Sequence, residues 1–133
     1  MTQKIRDHKD LEVWKKGKTL VKEIYLITAQ FPPTEKYNLS SQMQRAAISI
    51  PANIAEGYMR ASRKEYLQFL AIASGSASEL ETLIIIAAEL GFIKPAQTII
   101  LSKTADDLRR MLFGLRQKLA QTPKPNTQNP IAA

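Results

Sequence analysis

The chain has no cysteine and a single histidine, His8. Disulfides, thiolate metal sites and thiol nucleophiles are therefore excluded, and a histidine-based metal centre or catalytic base has one candidate, in a charged N-terminal segment prone to fraying. No Glu-x-x-His pair is present for a di-metal carboxylate site within a bundle. Neither a phosphate-cradling glycine loop nor an activated-serine arrangement occurs. Aromatic side chains make up only 7% of the sequence, which argues against base stacking as a main source of nucleic-acid affinity. The longest uncharged run in the body is 13 residues, Tyr66 to Ser78, short of the roughly 20 needed to span a bilayer. The opening MTQKIRDHKD lacks the charged-then-apolar pattern of a secretion signal. Together these absences point to a cytoplasmic, non-enzymatic protein with no cofactor, no metal and no membrane partner.

What is present is helical periodicity. With 133 residues and 44% apolar side chains, the chain suits one domain with a real core. The first helix is expected to start near a capping Asp10 and to end near Phe31, before Pro32 and Pro33. Its seam is Val13, Gly17, Leu20, Ile24, Ile27 and Phe31, widened by Trp14, Val21 and Tyr25. A second helix occupies about Leu39 to Gly57. Ser62, with Glu65 in a capping-box position, opens a third helix from Arg63 to Leu90. Gly91 ends that helix in a left-handed cap, and Pro95 opens a fourth that runs to Gln121. Residues 1–9 read as a flexible leader, 10–121 as the bundle and 122–133, with three prolines, as a disordered tail. The class is all-α, an antiparallel up-down four-helix bundle.

The second helix organises the rest. Pro51 interrupts a continuously apolar face, deleting a donor and clashing with the carbonyl four residues back, at about 3 kcal/mol. Because the apolar spacing keeps phase across it, one helix kinked at Pro51 is expected. Its other face carries Arg45, Ser49, Asn53 and Glu56. Such a polar stripe either satisfies itself and a neighbouring helix or forms a recognition surface. An antiparallel register about a turn near residue 60 places Arg45 near Ser76 and Glu79, so an Arg45–Glu79 ion pair is expected. The same register brings Glu56 near Glu65 and Lys64. In the third helix, the seam Tyr66, Phe69, Ala73, Leu80, Leu83, Ala87 and Leu90 is accompanied by small residues on another face, Ala71, Ser74, Gly75, Ser78 and Thr82. Ile84, Ile85 and Ile86 face three directions, which predicts burial on more than one side and a subunit interface. The fourth helix carries Ile100, Leu101, Leu108, Met111, Leu112, Leu115 and Leu119.

The net charge of +7 is polarised under this topology. Residues 1–20, 50–76 and 108–133 hold fourteen basic and five acidic groups, a net of +9, at one end. The opposite end, residues 21–49 and 77–107, holds five basic and seven acidic groups, a net of −2. The main carriers are Lys15, Lys16, Lys18, Arg60, Arg63, Lys64, Arg109, Arg110, Arg116 and Lys118, and they are the candidate nucleic-acid contacts. Cations in the last turn of a helix also complement its dipole, but Arg63 and Lys64 sit at a helix start, where that reason fails.

The segments DLEVWKKG, FPPTEKYNLSSQMQRAAISIPANIAEG, SRKEYLQFLAIA and SGSASELET together resemble the four-helix-bundle family of 23S rRNA intervening-sequence proteins, from Leu11 to Leu119. Arg45, Ser49, Pro51, Asn53, Glu56, Gly57, Gly75, Ser76 and Glu79 fall on that family's pattern. The resemblance implies a ring-shaped homopentamer and no catalytic residue. A related branch resembles the accessory proteins of diversity-generating retroelements, basic pentamers that partner a reverse transcriptase and contact nucleic acid. The functional expectation is a basic oligomer binding RNA or DNA through phosphates. The alternative is an adaptor docking a protein partner such as a reverse transcriptase.

Overall fold

The apolar periodicities resolve into four helices: α1 (Glu12–Thr28), α2 (Leu39–Tyr58), α3 (Arg63–Glu89) and α4 (Pro95–Gln121). The computed structural model describes residues 5 and 7–121. The tail expected over 122–133 lies outside the described residues, as does most of the leader. Single turns of 3-10 helix precede α1 (His8–Asp10) and α2 (Pro33–Glu35). There is no strand among the described residues.

Each boundary has a local cause. Ser62 is extended, and its Oγ accepts from the Glu65 N–H at 3.1 Å. Glu65 returns its carboxylate to the Ser62 hydroxyl at 3.4 Å. Gly91 sits at φ +81°, with its own N–H on the Ala88 carbonyl and that of Phe92 on Ala87. This double closure satisfies the last carbonyls of α3 and needs the left-handed conformation that glycine adopts without strain. Pro95 opens α4, where a missing N–H has no partner to lose.

Three sequence expectations need correction. Asp10 does not cap α1, which starts after an extended Leu11 with no side-chain cap. Asp10 instead accepts from the Asp7 N–H in a small capping box, while Asp7 accepts from Lys9. That turn sets His8 edge-on to Trp14 at 5.2 Å, so this part of the leader is a packed turn. Helix α1 ends at Thr28, one turn before Phe31. The chain then tightens into single turns, Gln30 N–H on Ile27 and Phe31 N–H on Thr28, ahead of Pro32 and Pro33, which cannot continue a helix. Phe31 is still buried, packed on Phe92 at 5.5 Å. Tyr25 is 45% exposed and lies outside the core.

The core forms where the helices face one another. Leu20, Ile24, Met43, Ile50, Ile54, Leu70, Leu80, Ile84, Leu108 and Leu112 are its largest fully buried side chains. The seam of α3 passes through Leu70 and Ala77, while Phe69 is only partly buried and Leu90 is exposed. Ile100 is also exposed, leaving Leu101 and Ala105 as the inward residues of α4 there. Contacts between successive helices run in opposite chain directions: Gly17 with Pro51 and Thr28 with Gln44, Ser49 with Ser76 and Gly57 with Tyr66, Ser74 with Arg116 and Glu81 with Arg109.

Pro51 is buried within a helix continuous from Leu39 to Tyr58. Gly17 of α1 lies against its ring, where an added Cβ would sit 3.4 Å from Pro51 Cδ. An added methyl there would be in ordinary van der Waals contact with the ring.

Helix α3 is long and apolar enough to cross a membrane by length and composition, with a mean hydropathy of 1.5 over its most apolar window. In this fold it packs against α2 and α4 on two flanks. Its third flank is open. Ile84 is fully buried, whereas Ile85 is 52% and Ile86 40% exposed. Burial of α3 on several sides is therefore not completed within one chain.

Candidate nucleic-acid interface

The polar stripe of α2 divides in two. Ser49 and Asn53 turn into the α2–α3 contact, where Ser76 Oγ donates to Ser49 Oγ at 2.7 Å. Asn53 Nδ2 donates to the Ser49 hydroxyl at 2.9 Å and to its carbonyl at 2.8 Å. These three side chains satisfy one another across the seam, which makes them structural. Arg45 and Glu56 remain exposed. The expected Arg45–Glu79 ion pair does not form: Arg45 donates to Ser41 Oγ at 3.0 Å, and Glu79 is exposed. Ser49, not Arg45, meets Ser76, so α3 lies one helical turn away from where counting about residue 60 puts it. That register sets Arg45 level with Glu79, but both side chains are exposed and Arg45 is held by its own helix. Glu56 and Glu65 do approach each other, through Arg60, which bonds Glu56 at 2.8 Å and reaches Glu65 at 3.9 Å.

The ten candidate cations are not equivalent. Lys15 pairs with Glu12 at 3.4 Å and Lys16 with Asp107 at 3.9 Å. Lys18 lies over the Trp14 ring at 4.6 Å, and the Arg60 guanidinium over Phe69 at 4.9 Å. Arg109 bridges Glu81 on α3, at 3.1 Å, and Asp106 on α4. Arg110 holds the other oxygen of Asp106 at 2.8 Å. The hydrogen bond from Arg109 keeps the Asp106 carboxyl below its ordinary value, with the charge of Arg110 adding to the effect. The hydrogen bond to Asp106, and next that to Glu81, in turn raise the Arg109 guanidinium. Arg109 is thus a clamp between two helices.

Lys64 and Arg116 differ from these. Lys64 forms no ion pair among the described residues, and Arg116 has the Ser74 hydroxyl, at 3.5 Å, as its partner. Arg116 lines a hollow between the start of α3 and the end of α4, and Lys64 lines a neighbouring hollow along the start of α3. One hollow of about 510 Å³ is lined by Ser62, Arg63, Lys64, Leu67, Gln68 and Ala71. A second, of about 330 Å³, is lined by Leu67, Phe113, Arg116, Gln117 and Ala120. Leu67 belongs to both, and no carboxylate lines either. Lys118 lies in the last turn of α4. Phe113, Leu67, Gln68 and Gln117 were not singled out by sequence. The signal available was a phenylalanine one position off the α4 seam, within a stretch from residue 108 onward that has no acidic residue.

Of the remaining family-pattern residues, Gly57 is closely packed: a Cβ there would lie 2.7 Å from Phe69 Cβ and 3.2 Å from the Tyr66 carbonyl. Gly75 is exposed, with nothing within 4 Å of an added Cβ. Among the described residues there is no cluster of three or more His, Asp or Glu side chains suited to a metal ion.

Residues 9–114 match the profile of the family described as 23S rRNA-intervening sequence protein. The chain belongs to this family. The profile covers most of the bundle and ends within α4, short of Arg116 and Lys118, so those cations lie beyond the family's matched span. Among solved structures, the family member is similar to a crystal structure of a protein with unknown function from the S23 ribosomal protein family of Bacteroides thetaiotaomicron. The two share 22% identity with a TM-score of 0.74, over 79% of this chain and 98% of that one. At that identity the likeness concerns the fold. None of the curated proteins matches the chain.

Proposed function

We propose that this member of the 23S rRNA-intervening sequence protein family is a non-enzymatic, self-associating bundle that binds RNA or DNA through phosphate contacts, without sequence selectivity. The observation that carries the reading is the charge polarity: a net of +9 over residues 1–20, 50–76 and 108–133, against −2 over the rest. Clustered cations release counterions from a phosphate backbone and need no base code. Ion pairing reduces the share of Lys15, Lys16, Arg60, Arg109 and Arg110, so Lys64 and Arg116 lead the contact surface. Self-association is supported by the open flank of α3, where Ile72, Gly75, Thr82 and Ile86 recur at helical spacing and are exposed. A ring of copies, five by family resemblance, would set several basic ends side by side and multiply weak contacts.

The test is a salt titration of binding to short labelled RNA and DNA, on full-length protein whose mass in solution is measured by light scattering. A log-linear fall in affinity with salt is expected, with a mass above that of one chain. Reversing Lys64 and Arg116 to glutamate should remove most of the binding and flatten the slope. Absence of binding at low salt overturns the reading and redirects it to an adaptor that docks a protein partner.

A further inference from the structure

The groove that joins α3 and α4 at the basic end contains more than charge. Phe113 is 55% exposed, although its neighbour Leu112 is fully buried. It lies one turn before Arg116 and Gln117 on the same helix face, and all three line the hollow closed by Leu67. Across Leu67 the second hollow adds Lys64 and Gln68. No carboxylate lines either hollow, and the nearest on α3, Glu65, is bonded to the Ser62 hydroxyl at the edge and reached by Arg60. Arg116 is steadied by Ser74 instead of neutralised by a carboxylate.

We infer that this groove is a binding site for single-stranded nucleic acid, with one base stacked on Phe113 and its flanking phosphates held by Lys64 and Arg116. The inference rests on the phosphate-binding function proposed above and adds a preference to it. A phosphate surface alone favours the duplex, whose charge is denser. An aromatic face beside cations favours bases that have left the stack, because a duplex base already has its π-faces covered. Stacking on one ring tolerates any base, so the preference is for strandedness and not for sequence. Gln68 and Gln117 supply both donors and acceptors at the groove's edges, which suits varied base edges.

The experiment measures fluorescence anisotropy of full-length protein with labelled single-stranded RNA, single-stranded DNA and the corresponding DNA duplex. Wild type, Phe113→Ala, Phe113→Tyr and Lys64→Gln/Arg116→Gln are compared. Phe113→Ala should weaken both single strands about tenfold or more and leave the duplex within about twofold, and Phe113→Tyr should restore single-strand binding. Lys64→Gln/Arg116→Gln should make the single-strand salt dependence shallower, by about 0.7 in log–log slope per lost contact. Tighter binding of RNA than DNA, or the reverse, names the source of the strand. If the double glutamine variant loses affinity while Phe113→Ala changes nothing, phosphate binding stands and this inference falls. Equal losses on single strands and duplex with Phe113→Ala also overturn it, as does a change in solution mass, which would make the groove a contact between copies. If the wild type binds no strand at low salt, the function reading fails first and takes the inference with it.

Discussion

Against α2, helix α3 packs through uncharged groups in close contact. Gly57 lies under Phe69 and Tyr66, and the hydroxyls of Ser49 and Ser76 share a 2.7 Å hydrogen bond with Asn53 behind them. Against α4, the same helix is fastened at its rim by Arg109, which joins Glu81 to Asp106 in a partly exposed cluster. One seam depends on steric fit and neutral hydrogen bonds, the other on charge. Close fit fixes a register strongly because a small shift produces overlap. A rim ion pair tolerates movement and contributes little once water and salt screen it. The α2–α3 seam therefore holds the fold's register, and the rim of α4 is where sequence could diverge toward surface function.

Two glycines sharpen the contrast most. Alanine at Gly57 must push against Phe69 Cβ and the Tyr66 backbone, neither of which is a flexible end. Gly57→Ala is expected to destabilise by about 1–3 kcal/mol despite the better helix propensity of alanine. Gly75 has open space at the same point, so Gly75→Ala should stabilise the fold by about 0.5–1 kcal/mol. Denaturant melts of the two variants should move in opposite directions. Equal shifts would show that helix propensity governs both sites and that packing does not distinguish them.

That contrast also marks what could be read from sequence. Ser62, Gly91 and Pro95 were legible because each has a local backbone cause, and the continuity of α2 through Pro51 because the apolar spacing keeps phase across it. The α1 start was not, because Asp10 competes in two local motifs and the one closed by Asp7 wins. The Arg45–Glu79 pair failed although the α2–α3 register sets the two residues level, because apolar periodicity does not say how an exposed side chain turns, and Arg45 bonds Ser41 on its own helix. At the interface, the basic end was visible as composition. Which cations are already engaged was not, since Arg109 with Glu81 and Lys16 with Asp107 are pairs far apart in the chain. Phe113 escaped notice for the related reason that exposure depends on helix packing and not on residue type.

A smaller effect tests whether the hydroxyl cluster acts as one unit. Removing the Ser76 hydroxyl leaves Ser49 bonded to Asn53, whereas removing that of Ser49 strands Ser76 and one Asn53 bond together. Ser49→Ala should therefore cost more than Ser76→Ala, each about 0.5–1.5 kcal/mol. A double-mutant cycle should give a coupling of about 0.5 kcal/mol or more. Strict additivity would mean that the two hydroxyls are independent and that the apolar contacts alone hold the seam.

The last test uses pH, to which the two seams respond in opposite directions. Burial, with a further contribution from Tyr58, pushes the Tyr66 hydroxyl up to about 12 from 10.0. The neutral phenol is the form that the fold favours, so its contribution is complete below pH 10 and is lost as pH rises toward 12. Asp106 is shifted the other way. Its carboxyl titrates below the ordinary 3.8, chiefly through the hydrogen bond from Arg109. Its contribution is present above that ordinary value and is lost as pH falls through the lowered one. Stability profiles from denaturant melts should therefore show a steep alkaline limb that Tyr66→Phe flattens and a shallow acid component that Arg109→Met reduces. The acid component should persist in part, because Arg110 still holds Asp106 at 2.8 Å. If Arg109→Met altered the alkaline limb, or Tyr66→Phe the acid one, α3 would be transmitting strain between its flanks, and its two seams could not be treated as separate structures.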